Sequence, residues 1–132
     1  MKHMLLTLTL LTAGYSQTLD CKNANTTYDL MDCQKIEIAD AEKNLDKYLS
    51  ASKQRYADDK DVISLMEKSQ EVWIAYRKAH CNAIHQIWND GTVSGLMHGS
   101  CFLNMTKKRT HEIWEAYLTY MDSTPAILNE PK

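Results

Sequence analysis

Cys21, Cys33, Cys81 and Cys101 set the firmest boundary on how this chain folds. They follow a segment laid out like a secretory leader. Met1-Lys2-His3 is a short basic start, residues 4–11 (MLLTLTLL) form an apolar run, and Thr12-Ala13-Gly14-Tyr15-Ser16 supplies small residues for a peptidase. The run is too short to span a bilayer as a mature helix. Cleavage is expected after Ser16, with Gly14 as the alternative. Four cysteines in a short exported chain imply two disulfides, with three connectivities open. Their spacings, 11, 47 and 19 intervening residues, contain no close pair of the kind that zinc sites use. Asp20 stands where a lipoprotein needs a small residue before its acceptor cysteine, so neither a lipid nor another stable membrane anchor is expected.

A chain of 132 residues has room for one domain. With 44% hydrophobic and 24% charged residues it is ordinary globular material. Loss of Lys2 with the leader leaves 14 basic against 17 acidic residues, a net charge of −3. Such a balance argues against a nucleic-acid partner, which favours a basic face. It suits approach to a cationic protein.

Hydrophobic spacing divides the rest into a signal peptide (1–16), an N-terminal arm (17–28), a helical domain (29–122) and a C-terminal tail (123–132) that Pro125 and Pro131 mark as ragged. No glycine or proline interrupts residues 31–56, where Cys33, Ile36, Ala41, Leu45, Tyr48, Leu49, Ser52 and Tyr56 recur at three- and four-residue steps. Asp29 or Thr27 is placed to cap this helix. Residues 57–61 read as a turn. A second helix over 62–88 carries Leu65, Met66, Ser69, Gln70, Trp73, Ile74, Arg77, Cys81, Ile84 and Trp88 on its inward stripe, and Asn89-Asp90-Gly91 ends it. A third begins between Ser94 and Ser100, runs to about Met121, and turns Phe102, Met105, Thr106, Arg109, Ile113, Tyr117 and Tyr120 inward. The fold class is all-α: a three-helix, up-down-up bundle with two disulfides.

Folding the first helix onto the second about residue 58 brings Cys33 and Cys81 to nearly the same height on inward stripes. Cys33–Cys81 is therefore favoured, with Cys21–Cys101 tying the arm to the third helix. All four cysteines cluster at one end, so Cys21–Cys33 with Cys81–Cys101 stays open.

The second helix reads Gln70-x-x-Trp73-x-x-Tyr76-Arg77-x-Ala79-x-Cys81, and Cys101-x4-Thr106-x2-Arg109 follows after a glycine-bearing loop. Upstream stand Met31-x-Cys33, Glu37, Ala39-Asp40, Leu45 and Tyr48. Over about residues 21–113 this resembles the LprI-type lysozyme-inhibitor family of exported bacterial proteins. The resemblance implies a helical, disulfide-bonded periplasmic or secreted domain that blocks a c-type lysozyme non-covalently. Gly91-Thr92 stands where that family often has a glycine pair. The rival reading is an envelope binding module, or an immunity protein against another secreted toxin or cell-wall hydrolase.

Arg77 and Arg109, on mixed stripes, are expected to pair with Glu37, Asp40 or Gln70, because a buried guanidinium needs such partners. Trp73, Tyr76 and Trp88 fall at core spacing. His80 and His85 are five apart and do not share a helix face as metal ligands would, so no metal or other cofactor is expected. No G-x-S-x-G or H-E-x-x-H pattern is present, disulfides consume the cysteines, and no enzymatic activity is expected. The polar, glycine-rich stretch over 89–98 is the candidate binding loop, through Asn89, Asp90, Thr92, Ser94 and His98. Oligomeric state is not legible.

Overall fold

The computed structural model describes residues 19–132, so the expected leader and the start of the arm lie outside the described residues. Three helices account for the regular structure, and the described residues include no strand. Helix α1 spans Thr27–Arg55, α2 Lys60–Ile87 and α3 Ser94–Tyr117.

Local chemistry fixes the first two starts. Thr26, rather than Thr27 or Asp29, caps α1. Its hydroxyl accepts from Asp29 N at 3.1 Å, while the Asp29 carboxylate accepts from Thr26 N at 3.2 Å. That reciprocal box satisfies two otherwise orphaned amides. Asp59 caps α2 by accepting from Val62 N at 3.0 Å. Neither Ser94 nor Ser100 caps α3; Val93 holds the cap position and makes no side-chain cap bond. Helix α3 also stops at Tyr117, short of Met121.

Cross-helix contacts give the directions. Near the start of α1, Gln34 Nε2 donates to the Leu96 carbonyl at 3.2 Å and to Ser100 Oγ at 2.8 Å. At the end of α1, Arg55 donates to the Tyr117 and Thr119 carbonyls at 2.6 and 2.9 Å. Helices α1 and α3 are therefore parallel. The Cys81–Cys101 bridge and an Arg109–Gln70 hydrogen bond at 3.2 Å set α2 antiparallel to α3.

The disulfides are Cys21–Cys33 and Cys81–Cys101. This corrects the favoured Cys33–Cys81 and Cys21–Cys101 pairing, and the reason is packing order. Joining Cys33 to Cys81 requires α1 to lie directly on α2, but α3 packs against both and those two touch only sparsely. Gly95 and Gly99 let α1 come close to α3. A Cβ on Gly99 would stand 2.6 Å from Gln34 Cδ, and one on Gly95 would stand 3.1 Å from Met31 Sδ. These two glycines lie inside the helix, where they make room for a neighbour rather than a turn.

The core follows the heptad-like spacing. Leu45 and Tyr48 of α1 meet Ile113 of α3 and Leu118, with Leu49, Trp73, Trp114 and Leu128 packed around them. Fully burying an apolar side chain of this size contributes about 1.5–3 kcal/mol. Ser69, placed inward by spacing, is exposed, and so are five large hydrophobic side chains placed inward with it: Ile36, Leu65, Ile74, Trp88 and Tyr120. Of these, Leu65 is the most open at 70%.

The expectation of a ragged tail is also corrected. Past Leu118 the chain turns back over α1 and α3. Ile127 N donates to the Leu118 carbonyl at 2.9 Å, Trp114 Nε1 to the Leu128 carbonyl at 2.8 Å, and Tyr48 Oη to the Asn129 carbonyl at 2.6 Å. His111 and Glu130 pair at 2.9 Å. The segment acts as a strap whose Leu128 completes the core.

Candidate functional site

The residues singled out from sequence fall into two groups. One is a buried network centred on Arg77. Arg77 is 8% exposed. Its Nη1 donates to Thr106 Oγ1 at 2.7 Å and its Nη2 pairs with Glu42 at 2.8 Å. The guanidinium also lies 4.8 Å from the Trp73 ring centroid and 4.6 Å from that of Phe102. Its Nε finds no hydrogen-bond partner, and the two aromatic faces supply attraction there instead. Thr106 donates to the Phe102 carbonyl at 2.7 Å, so its hydroxyl both gives and accepts. Arg109 donates to Gln70 and to Ser69 Oγ, at 3.2 and 2.9 Å, and pairs with Glu112 at 3.2 Å.

Gln70, Trp73, Arg77, Thr106 and Arg109 thus form one seam between α2 and α3. Tyr76 does not join it. Tyr76 is exposed and stacks on His80, with ring centroids 5.7 Å apart. The carboxylate expected from Glu37 or Asp40 comes instead from Glu42. In sequence Glu42 reads as a solvent-face residue, and only the position of α2 reveals its partner. Glu37 and Asp40 line a separate depression with Lys107 and Lys132.

The other group is the α2–α3 junction. Only residues 88–93 are non-helical there, a shorter loop than the 89–98 stretch read from sequence. Gly91 N donates to the Trp88 carbonyl at 3.0 Å and Ser94 N to the Gly91 carbonyl at 3.3 Å, giving a compact turn. Asn89, Asp90 and Thr92 are exposed at its tip, and Ser94 opens α3 half-buried. His98 lies one helical turn further on, half-buried, with its ring toward α2. Its Nε2 is 3.2 Å from Asn82 Oδ1, and its ring meets His85 edge-on at 5.7 Å. Burial, and then the nearby His85 charge, hold its pKa below the ordinary histidine value. His98 is therefore a neutral hydrogen-bonding group near pH 7. With His85, Met31, Ile38 and the two α3 glycines it lines a depression of about 390 Å³. Sequence spacing missed His85 and Asn82 as its neighbours, because they stand across the helix pair rather than beside it in the chain.

The Cys81–Cys101 bridge lies beside this junction and restrains both helices that carry the loop. Among the described residues no group of three or more His, Cys, Asp or Glu side chains converges as metal ligands do. No helix among them is long and apolar enough to cross a membrane.

Such an arrangement defines a class of small disulfide-stapled helical domains that present a restrained loop and shallow depressions to their surroundings. Within that class the chain belongs to the LprI lysozyme-inhibitor family, whose model (described as Lysozyme inhibitor LprI) matches residues 20–113. The matched region contains both disulfides and the Arg77 seam, and stops before the strap. An uncharacterised protein of Rhizobium meliloti (strain 1021) is 29% identical over 108 residues, covering 73% of this chain and 77% of that protein. No solved structure matches the chain.

Proposed function

We propose that the protein is an exported inhibitor that binds a c-type lysozyme non-covalently and blocks its cleft, acting in the periplasm or outside the cell. The observation that carries this reading is the family match over residues 20–113. The exposed tip formed by Asn89, Asp90 and Thr92 supports it, because a loop on a covalently restrained base loses little freedom on binding. Asn89 and Thr92 offer hydrogen-bond donors to a cleft lined by two catalytic carboxylates, while Asp90 accepts only. Ser94 and His98 act from the first turns of α3, His98 by holding the junction against Asn82 and His85. The mature net charge of −3 favours encounter with a basic enzyme, so added salt slows association.

The test is equilibrium binding of the oxidised mature protein to c-type lysozyme, with bacterial lysis measured alongside. Binding together with loss of lysis is expected, both weakened by alanine at Asn89 and Thr92. Absence of binding at roughly 50 μM, an affinity already weaker than 6 kcal/mol, rejects the reading.

A further inference from the structure

Because α1 and α2 both lean on α3 and barely meet, a depression stays open between them. It has a volume of about 240 Å³ and is lined by Glu42, Leu45, Asp46, Trp73, Ile74 and Arg77. We propose that this depression is the anchor point for one basic side chain of a protein partner. The inference rests on the proposed function only for the partner's identity.

Charge gives the first argument. Glu42 and Asp46 stand one turn apart on the same face of α1. Arg77 neutralises Glu42. Asp46 is exposed and forms no ion pair among the described residues. The depression therefore carries one uncompensated negative charge beside a second carboxylate with a free oxygen. A cation completes it.

Shape gives the second. Small-molecule sites commonly measure about 300–1,000 Å³. This depression is smaller and suits a single side chain. Leu45, Trp73 and half-exposed Ile74 provide apolar walls. A lysine or arginine lays its methylene stem along such walls and keeps its charged head at the carboxylates. Both Arg77 and Arg109 lie near the Trp73 ring, at 4.8 and 5.8 Å. The Gln70 oxygen already accepts from Arg109. Asp46 is thus left as the principal attraction for an incoming head group.

Preorganisation gives the third. The Arg77–Glu42 pair fixes one end of the depression, and the Lys53–Glu67 pair at 3.0 Å ties α1 to α2 about three turns further along. A walled notch with a fixed carboxylate loses less freedom on binding than a flexible surface pair does.

The experiment is an amide NMR titration of the oxidised protein with N-acetyl-arginine amide, using N-acetyl-norleucine amide as the uncharged control. Saturable shifts confined to residues 42–46 and 70–77 are expected with the arginine probe alone. Asp46→Asn should weaken the response about two- to fivefold, the range for one exposed ion pair. Asp61→Asn makes the same change of charge elsewhere and should leave it unaltered. Absence of saturable shifts, shifts spread over all carboxylates, or equal loss in both variants overturns the proposal. A parallel measurement with c-type lysozyme separates the two readings. Failure of the wild-type protein to bind lysozyme rejects the inhibitor reading, while the arginine titration still decides the anchor.

Discussion

Helix α3 has two neighbours and is joined to them by different physics. Against α1 the contact is apolar and closely packed, through Leu45, Tyr48 and Ile113, with Leu118 and, from the strap, Leu128 closing it. The strap's carbonyls also accept from Tyr48 and Trp114, one on each helix. Against α2 the contact is narrow and largely polar. Only Met66, Gln70, Arg77 and Cys81 of that long helix are buried. The seam depends on Arg77 reaching Thr106, on Arg109 reaching Gln70 and Ser69, and on one disulfide. Apolar burial stabilises continuously along a face, whereas a polar seam rests on a few directional contacts. Two halves built so differently should fail differently.

The largest test removes the covalent part of the α2 seam. Replacing Cys81 and Cys101 by alanine should cost about 3 kcal/mol, the loop-closure value for a bridge of this separation. In native-state hydrogen exchange, α2 amides should lose protection before those of α1 and α3. Equal loss in all three helices would show one indivisible cooperative unit and erase the contrast. Opening the Cys21–Cys33 bridge, which ties only the arm to α1, should leave α2 protection unchanged.

A smaller effect is expected from the polar part. Arg77→Met keeps volume while removing the bond to Thr106, the pair with Glu42 and the aromatic sandwich. Glu42 is half-exposed and can rehydrate, and Thr106 keeps its bond to the Phe102 carbonyl. The cost is therefore about 1–2 kcal/mol in urea unfolding, below the 3–5 kcal/mol typical of stranding a fully buried charge. A loss in the higher range would mean that Glu42 stays desolvated and that the seam is tighter than its exposure implies.

The same contrast explains what could be read from sequence. The α1–α3 half was legible because apolar residues at helical spacing carry their own signal, and Leu45, Tyr48 and Ile113 all point inward as read. The α2 half was less so. Periodicity identifies a face but not the helix that will cover it, so Leu65, Ile74 and Trp88 looked inward and are not. The same gap misassigned the disulfides, since pairing Cys33 with Cys81 required α1 and α2 to be direct neighbours. Glu42 was hidden because the partner of a carboxylate depends on packing order. The strap was hidden for another reason. Prolines near a chain end signal the end of a helix, but they do not reveal that backbone carbonyls beyond it will be taken up by Tyr48 and Trp114. At the candidate loop the residue types were legible and the boundary was not. Gly95 and Gly99 look like loop residues, yet they serve close helix contact, which moves His98 from the loop into α3.

The smallest expected effect concerns acid, at the end of the α2–α3 seam where His98 faces His85 and Asn82, with Lys35 of α1 lining the same depression. Burial and the His85 charge lower the His98 pKa in the folded protein, while the unfolded chain titrates near 6.5. Below that value the unfolded state binds more protons than the folded state, so stability rises with pH in this window. His98 therefore contributes its full stabilisation above about pH 6.5, and this is lost as pH falls toward the depressed folded pKa. Asp20, Asp29 and Asp122 also have lowered pKa values, through hydrogen bonds to Asn23, Thr26 and Thr124 respectively, but their stability is lost only as pH falls below the ordinary carboxylate range. The two windows are separate. Urea midpoints between pH 7.5 and 5, a range chosen to bracket the histidine window, should decline in the wild-type protein and decline less in His98→Gln, which keeps a hydrogen-bonding group toward Asn82. Exchange protection should fall first at the C-terminal end of α2, where protonation places charge against charge. Superimposable pH curves for the two proteins would remove His98 as the cause, and an acid loss centred on α1 would reverse the ranking of the two halves.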